Sequence, residues 1–410
     1  MKTSTFLALA FLLGCGGSGG DGGPAGDGGP TGPDSGSPSG RDAGDGETCA
    51  RTPAAADRTR HAIVSHPYTD GGDPREDWEV LALSPEGELT ATGMTFAMGR
   101  GSFGRAVFTA DGAIAVAAQH DGTLGIVEIG PGGEPRVVER AWNGGGAFHA
   151  ASVEMAPDSR RVYVLDSQWR EHGGGIYSVA LACDGTPTLE GLVAPGKLPY
   201  ALSFAGDGRA LVAATDLLDG STPGADVHLV DLAGSAVLAG ADAFPDDEQI
   251  VASAALTAGG RHLLVGDNNQ YYSTEGMTNR VAVVRIDGDA LSPVQTLAPI
   301  EDPVAIVASP DDDAALVVSG FGDAILELAY QPDAAEPLAL LGEVDYAGPA
   351  PQLPASAALI DRGALRGRVL VAELLGVRQL AFGPGGVTDL GLTELGSDTG
   401  DIVGVIGVAP

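Results

Sequence analysis

The chain has 410 residues, of which 44% are hydrophobic and 5% aromatic, and it carries a formal net charge of −33. That balance excludes nucleic acid as a partner, because binding it takes a basic footprint that displaces counterions from phosphate; it also disfavours broad adsorption to anionic lipid. Lysine occurs only at Lys2 and Lys197, so lysine-based chemistry has almost no material. The acidity reads as a hydrated surface, or as a field that draws cations such as calcium.

Met1 to Cys15, MKTSTFLALAFLLGC, sets one lysine before an apolar run from Phe6 to Leu13. The run is too short for a permanent membrane span and has the shape of an export signal. Its ending, Leu12-Leu13-Gly14-Cys15, resembles the lipobox of bacterial lipoproteins. That resemblance implies a signal peptide over 1–14, lipidation of Cys15, and anchoring at the cell envelope by buried CH₂ groups worth about 0.8 kcal/mol each. Gly16 stands where an inner-membrane retention signal would place aspartate, which by the same resemblance favours the outer membrane.

From Gly16 to Glu47 no side chain is apolar and larger than Ala or Pro, so the segment cannot bury a core. Residues 15–48 therefore read as a lipidated cysteine on a flexible tether, and 49–410 as the folded domain. Two cysteines remain, Cys49 and Cys183, and an exported chain with two invites one disulfide.

The folded part repeats. A turn follows an apolar strand at Ala110-Asp111-Gly112, Pro157-Asp158-Ser159, Gly206-Asp207-Gly208, Ala258-Gly259-Gly260, Pro310-Asp311-Asp312 and Ile360-Asp361-Arg362. The spacing is roughly 50 residues, within the range of propeller repeats. After each turn comes a second strand (AIAVAAQ, RVYVLDS, RALVAAT, HLLVGDN, AALVVSG, RVLVAEL) and, after a loop, a third such as Leu124 to Ile129 or Arg280 to Ile286. A weaker fourth closes each unit, as at Pro135 to Arg140. Four short strands per unit without helical periodicity predict an all-β chain, a β-propeller of four-stranded antiparallel blades.

Six turns are visible, yet seven blades are expected. Arg60 to Ser65 reads as a second strand with no first strand before it, and Asp401 to Pro410 matches the first-strand pattern of Pro303 to Pro310. The C-terminal strand is thus expected to complete the N-terminal blade, which removes two open sheet edges. The Pro157-Asp158 and Pro310-Asp311 turns and the strand Arg160 to Val164 resemble the seven-bladed propellers of the YVTN-repeat and lactonase-like kind; Tyr163-Val164-Leu165-Asp166 is the nearest match to the tetrapeptide.

Four connections between second and third strands read as long: Pro67 to Asp77, Ser167 to Gly174, Asp216 to Asp226 and Asn268 to Asn279. Crowded on one face, they are where a protein or small-molecule ligand is expected. Cys49 and Cys183 both map to the opposite, plainer face, which favours their pairing. At the end of each second strand stands a polar residue: Gln119, Asp166, Thr215, Asp267, Ser319 and Glu373, with Ser65 or His66 in the first blade. They read either as strand ends reaching water or as a ring at the channel mouth. In the second reading Asp166, Asp267 and Glu373 supply oxygens to a divalent cation such as calcium or to sugar hydroxyls. Trp169, in a long loop, is the expected aromatic contact. Asp216, Asp219 and Asp226 read as a solvated turn, or less readily as calcium ligands.

No nucleophile elbow, P-loop or zinc helix occurs. The expected function is a lipid-anchored binding or scaffold module. The alternative, implied by the lactonase-like resemblance, is a hydrolase with a carboxylate-held metal at the channel mouth.

Overall fold

The computed structural model describes residues 51–55, 57–69, 73–101, 104–166, 174–194, 199–214, 224–245, 251–267, 279–395 and 403–410. The chain divides into two compact units, 1–50 and 51–410, and every described residue belongs to the second. Cys15 and Cys49 lie outside the described residues, as do the expected signal peptide and tether. Among the described residues no helix is long and apolar enough to cross a membrane.

Blade 1 starts with β1 (Arg60–Tyr68), β2 (Pro74–Leu83) and β3 (Leu89–Ala97). Blade 2 is β4 (Ala106–Phe108), β5 (Ile114–Ala118), β6 (Leu124–Ile129) and β7 (Pro135–Trp142). Blade 3 is β8 (Ala150–Met155), β9 (Arg161–Asp166), β10 (Gly175–Leu181) and β11 (Pro187–Ala194). Blade 4 is β12 (Pro199–Gly206), β13 (Arg209–Ala214), β14 (Val227–Asp231) and β15 (Ala236–Ala241). Blade 5 is β16 (Val251–Leu256), β17 (His262–Asp267), β18 (Arg280–Asp287) and β19 (Ala290–Leu297). Blade 6 is β20 (Pro303–Ala308), β21 (Ala314–Ser319), β22 (Ala324–Tyr330) and β23 (Leu338–Glu343). Blade 7 is β24 (Ser356–Leu359), β25 (Arg368–Glu373), β26 (Gly376–Gly383) and β27 (Gly386–Glu394). Finally β28 (Ile406–Val408) returns to blade 1, whose strand order is β28-β1-β2-β3. All seven sheets are four-stranded and antiparallel, in a closed seven-bladed propeller.

The clasp is short. Ala62, Ile63 and Val64 pair with Val408, Gly407 and Ile406, so the C-terminal strand is narrower than the expected Asp401 to Pro410. In blade 1, β1 runs on to Tyr68 and β2 begins at Pro74, so much of the expected loop from Pro67 to Asp77 is strand. Thr69 N donates to Asp73 O at 2.9 Å across the short connection that remains.

The second strands are apolar along their middles because both their faces are buried. Successive side chains on a strand point to opposite faces, and each face meets a different neighbouring blade. On β13, Leu211 and Ala213 pack with Leu263 and Val265 of blade 5, while Ala210 and Val212 pack with Tyr163 and Leu165 of blade 3. The same alternation builds an apolar layer at each boundary between blades, including the one between blades 7 and 1, where Ala62 and Val64 meet Leu370 and Ala372. Fourth strands are hydrogen-bonded on one edge only, and side chains on them stay exposed, as at Val237 and Leu341. In every blade the pairing of third with fourth strand carries a register shift. Such bulges bend and twist the rim, which hinders another chain from adding to it.

Four of the six turns share one geometry, while the expected tight turn at Ile360-Asp361-Arg362 is a longer connection, 360–367, closed by Gly367 N donating to Ile360 O. Gly112 N donates to Thr109 O, Ser159 N to Ala156 O, Gly260 N to Thr257 O and Asp312 N to Ser309 O. The donor residue has positive φ in each, 70°, 55°, 68° and 60° in that order. That left-handed position is free for glycine and costly for most other residues. Neighbouring turns are latched as well: Ser159 Oγ accepts from Ala110 N at 2.8 Å, and Asp312 Oδ1 accepts from Gly259 N at 3.1 Å.

Candidate functional site

The connections between second and third strands leave the ring on the face opposite the tight turns. Those of blades 3, 4 and 5 are the longest, 167–174, 215–226 and 268–279, and they belong to consecutive blades. The polar column lies at the roots of these connections. Thr215 and Trp169 fall outside the described residues; the other members are described.

None of them reaches water. Gln119, Asp166, Asp267, Ser319, Glu373 and Ser65 are each at most 2% exposed, which corrects the expectation of strand ends open to solvent. A buried polar group must be hydrogen-bonded or costs free energy, and the chain meets that demand in several ways. Ser65 Oγ donates to Gly101 O at 2.6 Å and accepts from Val405 N at 2.7 Å, so it ties blade 1 to the C-terminal segment. Gly101 is there because a Cβ would stand 2.4 Å from the Trp78 ring. Ser319 Oγ donates to Glu301 O.

The acids take arginines. Asp267 Oδ2 accepts from Arg280 Nε at 3.2 Å and Nη2 at 3.1 Å; the two residues are directly opposite across β17 and β18. Arg280 also lies over the Phe244 ring, 4.9 Å from its centroid. Glu373 accepts from Arg378 Nη2 at 3.0 Å, and Arg378 Nη1 donates to Asp389 Oδ2 at 2.6 Å. Arg378 is fully buried, packs on the Tyr346 ring at 5.2 Å and also donates to Pro349 O. Burial raises the Glu373 carboxyl above the usual carboxylate range, and Arg378 opposes that shift.

Asp166 is buried at the end of β9, opposite Ala150 and Gly175, and its charge contributes to raising the Tyr177 phenol. Among the described residues no group of three or more His, Cys, Asp or Glu side chains is placed to hold a metal ion, and Asp166, Asp267 and Glu373 are all described. Asp166, Asp267 and Glu373 each end a different second strand, in blades 3, 5 and 7.

Gln119 differs from the other members. Its backbone N donates to Thr123 O at 2.8 Å, yet neither side-chain Oε1 nor Nε2 has a hydrogen-bond partner. The amide is held where Gly125 leaves room, since a Cβ there would stand 2.3 Å from Nε2. Next in the chain is His120, whose imidazole is pulled down by burial, Arg100 and His149, with Asp121 opposing. His66 reaches Glu79 at 3.4 Å. Blades 1 to 3 thus gather three of the seven histidines near this face.

Asp226 does not sit in a solvated turn. It is 5% exposed, accepts from Ala243 N at 2.9 Å, and its carboxyl is hydrogen-bonded to Asp242. Burial first, then the Asp242 charge, push it up to about 7. Two carboxyls in contact need a shared proton. Asp216 and Asp219 lie outside the described residues. Sequence reasoning missed Arg280, Arg378, Asp389 and Asp242. Only the first had a usable signal, because it opens the strand that follows Asp267.

On the tight-turn face Cys183 is disulfide-bonded. Arg51 Nη2 donates to Ala182 O at 3.0 Å and Cys183 O at 3.2 Å, which brings residue 51 beside it.

No family model matches this chain, and no curated protein does. Solved structures match in fold. A 6-phosphogluconolactonase-like protein from Bacteroides uniformis is 17% identical, with 85% of this chain and 99% of that one covered, at a TM-score of 0.59. A second from Bacteroides fragilis is 12% identical, with 88% and 100% covered, at 0.61. The hydrazine synthase of Kuenenia stuttgartiensis is 13% identical, with 80% and 96% covered, at 0.54. At such identities the likeness is one of architecture, and this chain has the β-propeller fold of those proteins.

Proposed function

We propose that this chain is a lipid-anchored propeller of the cell envelope that works as a binding or scaffold module through its long-loop face. The observation that supports this reading is that the three longest connections between second and third strands, 167–174, 215–226 and 268–279, belong to consecutive blades. At the root of the 268–279 connection Asp267 is engaged by Arg280, so the strand end that carries it is positioned by the chain's own ion pair. The lipobox-like ending at Cys15 supports the anchor. The partner is a protein or a small molecule, because nothing in the net charge of −33 suits nucleic acid.

Photo-crosslinkers placed in cells at Leu218, within the 215–226 connection, and at Asp158, on the tight-turn face, test the binding surface. Adducts from Leu218 alone are expected; adducts from both positions or from neither reject the assignment. Cys15→Ser is expected to release the protein from the membrane fraction, and unchanged membrane association rejects the anchor. Chelator-sensitive lactone hydrolysis by the wild type, lost in Asp267→Asn, would replace this reading with the hydrolase one.

A further inference from the structure

The tight-turn face holds a concentration of positive charge that the acidic chain does not lead one to expect. Arg51 and Arg58, on the N-terminal arm before β1, and Arg362, which follows the first strand of blade 7, reach the 110–112 turn of blade 2, and Arg60 at the start of β1 meets Arg362. Arg60 Nη2 donates to Arg362 O at 2.9 Å, Arg362 Nη2 to Ala110 O at 2.7 Å, and Arg58 Nη2 to Asp111 O at 2.5 Å. Arg51 takes the Asp111 carboxylate at 3.1 Å. Gly112 makes the approach possible, since a Cβ there would stand 2.7 Å from Arg58 Nη2.

Asp111 pairs with Arg51, but neither Arg60 nor Arg362 has a carboxylate ion pair among the described residues. Arg60 is 1% exposed, and its Nη1 is buried without a hydrogen-bond partner. Arg362 Nε is likewise buried and unpartnered. Burial and then the nearby Arg362 and Arg58 charges weaken the hold of Arg60 on its proton, with Asp361 alone opposing. His61 is also pulled down, by burial and by Arg58, with Glu134 opposing. A buried guanidinium with an idle N–H beside a second guanidinium is costly unless an anion completes it. Planar arginine forks match the oxygens of phosphate and carboxylate.

We propose that Arg60, Arg362 and Arg58 form a binding site for a compact oxyanion, a phosphate or a carboxylate, on the tight-turn face. The bound oxygens accept hydrogen bonds from Arg60 Nη1 and Arg362 Nε, and Arg58 covers them from the exposed side. The site joins the arm, blade 2 and blade 7 across the clasped blade, so occupancy stabilises ring closure. It does not rest on the role assigned to the long-loop face.

Thermal unfolding of the full chain, with ionic strength held constant by sodium chloride, tests it. Inorganic phosphate forms one arm of the titration and acetate the other. The wild type is expected to show a melting temperature that rises and saturates at millimolar anion, as linkage to a folded-state site requires. Saturation by phosphate, by acetate or by both tells which oxyanion the site takes. Arg362→Gln is expected to abolish the saturating rise. Arg58→Gln, at an exposed position that folding tolerates, is expected to raise the half-saturating concentration about tenfold. A linear rise shared by the wild type and Arg58→Gln reports only salt exclusion from the surface and overturns the proposal. A flat response of the wild type, or saturation unchanged in Arg58→Gln, overturns it equally.

Discussion

Blades 5 and 7 answer one problem, a buried acid at the end of a second strand, in two ways. In blade 5 Arg280 meets Asp267 from the directly opposite position on the next strand, and that arginine stays partly exposed. In blade 7 Arg378 is wholly buried between Glu373 and Asp389, and both carboxylates depend on it. Asp389 also accepts from Ala347 N, so the triad pins the segment that links blade 6 to blade 7. The pair is a local solution within a hairpin, whereas the triad holds a blade boundary together. Removing one member of a buried ionic group costs far more than its net contribution, because the remaining charge is stranded.

The largest effect expected from this contrast is at Arg378. Arg378→Met leaves two buried like charges and should destabilise the protein by about 3–5 kcal/mol, read from urea unfolding; a loss as small as that of an exposed pair would deny the triad its role. A second carboxyl site extends the contrast, since among the described residues Asp226 meets Asp242 and no arginine. The carboxyl of Asp226 ordinarily titrates at 3.8 and is raised to about 7 in the fold. Between those values the unfolded chain gives up a proton that the folded chain keeps, so the stability it contributes is full below 3.8 and is lost as pH rises through about 7. Asp226→Asn should flatten that decline, and at about pH 8 it should exceed the wild type by on the order of a few kcal/mol. Unfolding midpoints at about pH 5 and about pH 8 check this, and an unaltered pH dependence would refute it. Asp267→Asn keeps a polar partner for Arg280 and should cost about 1–2 kcal/mol. The smallest change belongs to Arg209→Gln, which removes the exposed pair with Asp289 at 2.7 Å and should stay within about 0.5 kcal/mol. If Arg209→Gln cost as much as Asp267→Asn, burial would not be what separates these sites.

The ring was readable from the chain because its signals are local. Each second strand is buried on both faces and so reads as an apolar run along its middle, and each tight turn carries a glycine, aspartate or serine where φ is positive. The closing strand was readable because Ile406 and Val408 repeat the pattern of Ile306 and Ala308. The polar column was visible too, but not its meaning. Whether Glu373 faces water, a metal or Arg378 depends on residues of another strand and another blade boundary, and no spacing in the sequence encodes that. The same holds for Asp226, which stands sixteen positions before its partner Asp242 with a whole hairpin between them.

The closure of blade 1 bears on the order of events during synthesis. Ser65 Oγ accepts from Val405 N across 340 residues of chain. As the chain emerges from its N-terminus, β1 can pair with β2 early, yet its inner edge must wait until the last strand has been made. Six blades can stack before the first one is complete. The entropy of joining such distant segments grows only with the logarithm of their separation, so the delay is one of time more than of free energy. During that interval the open edge of β1 is the place where the nascent protein is most exposed to pairing with a neighbouring chain.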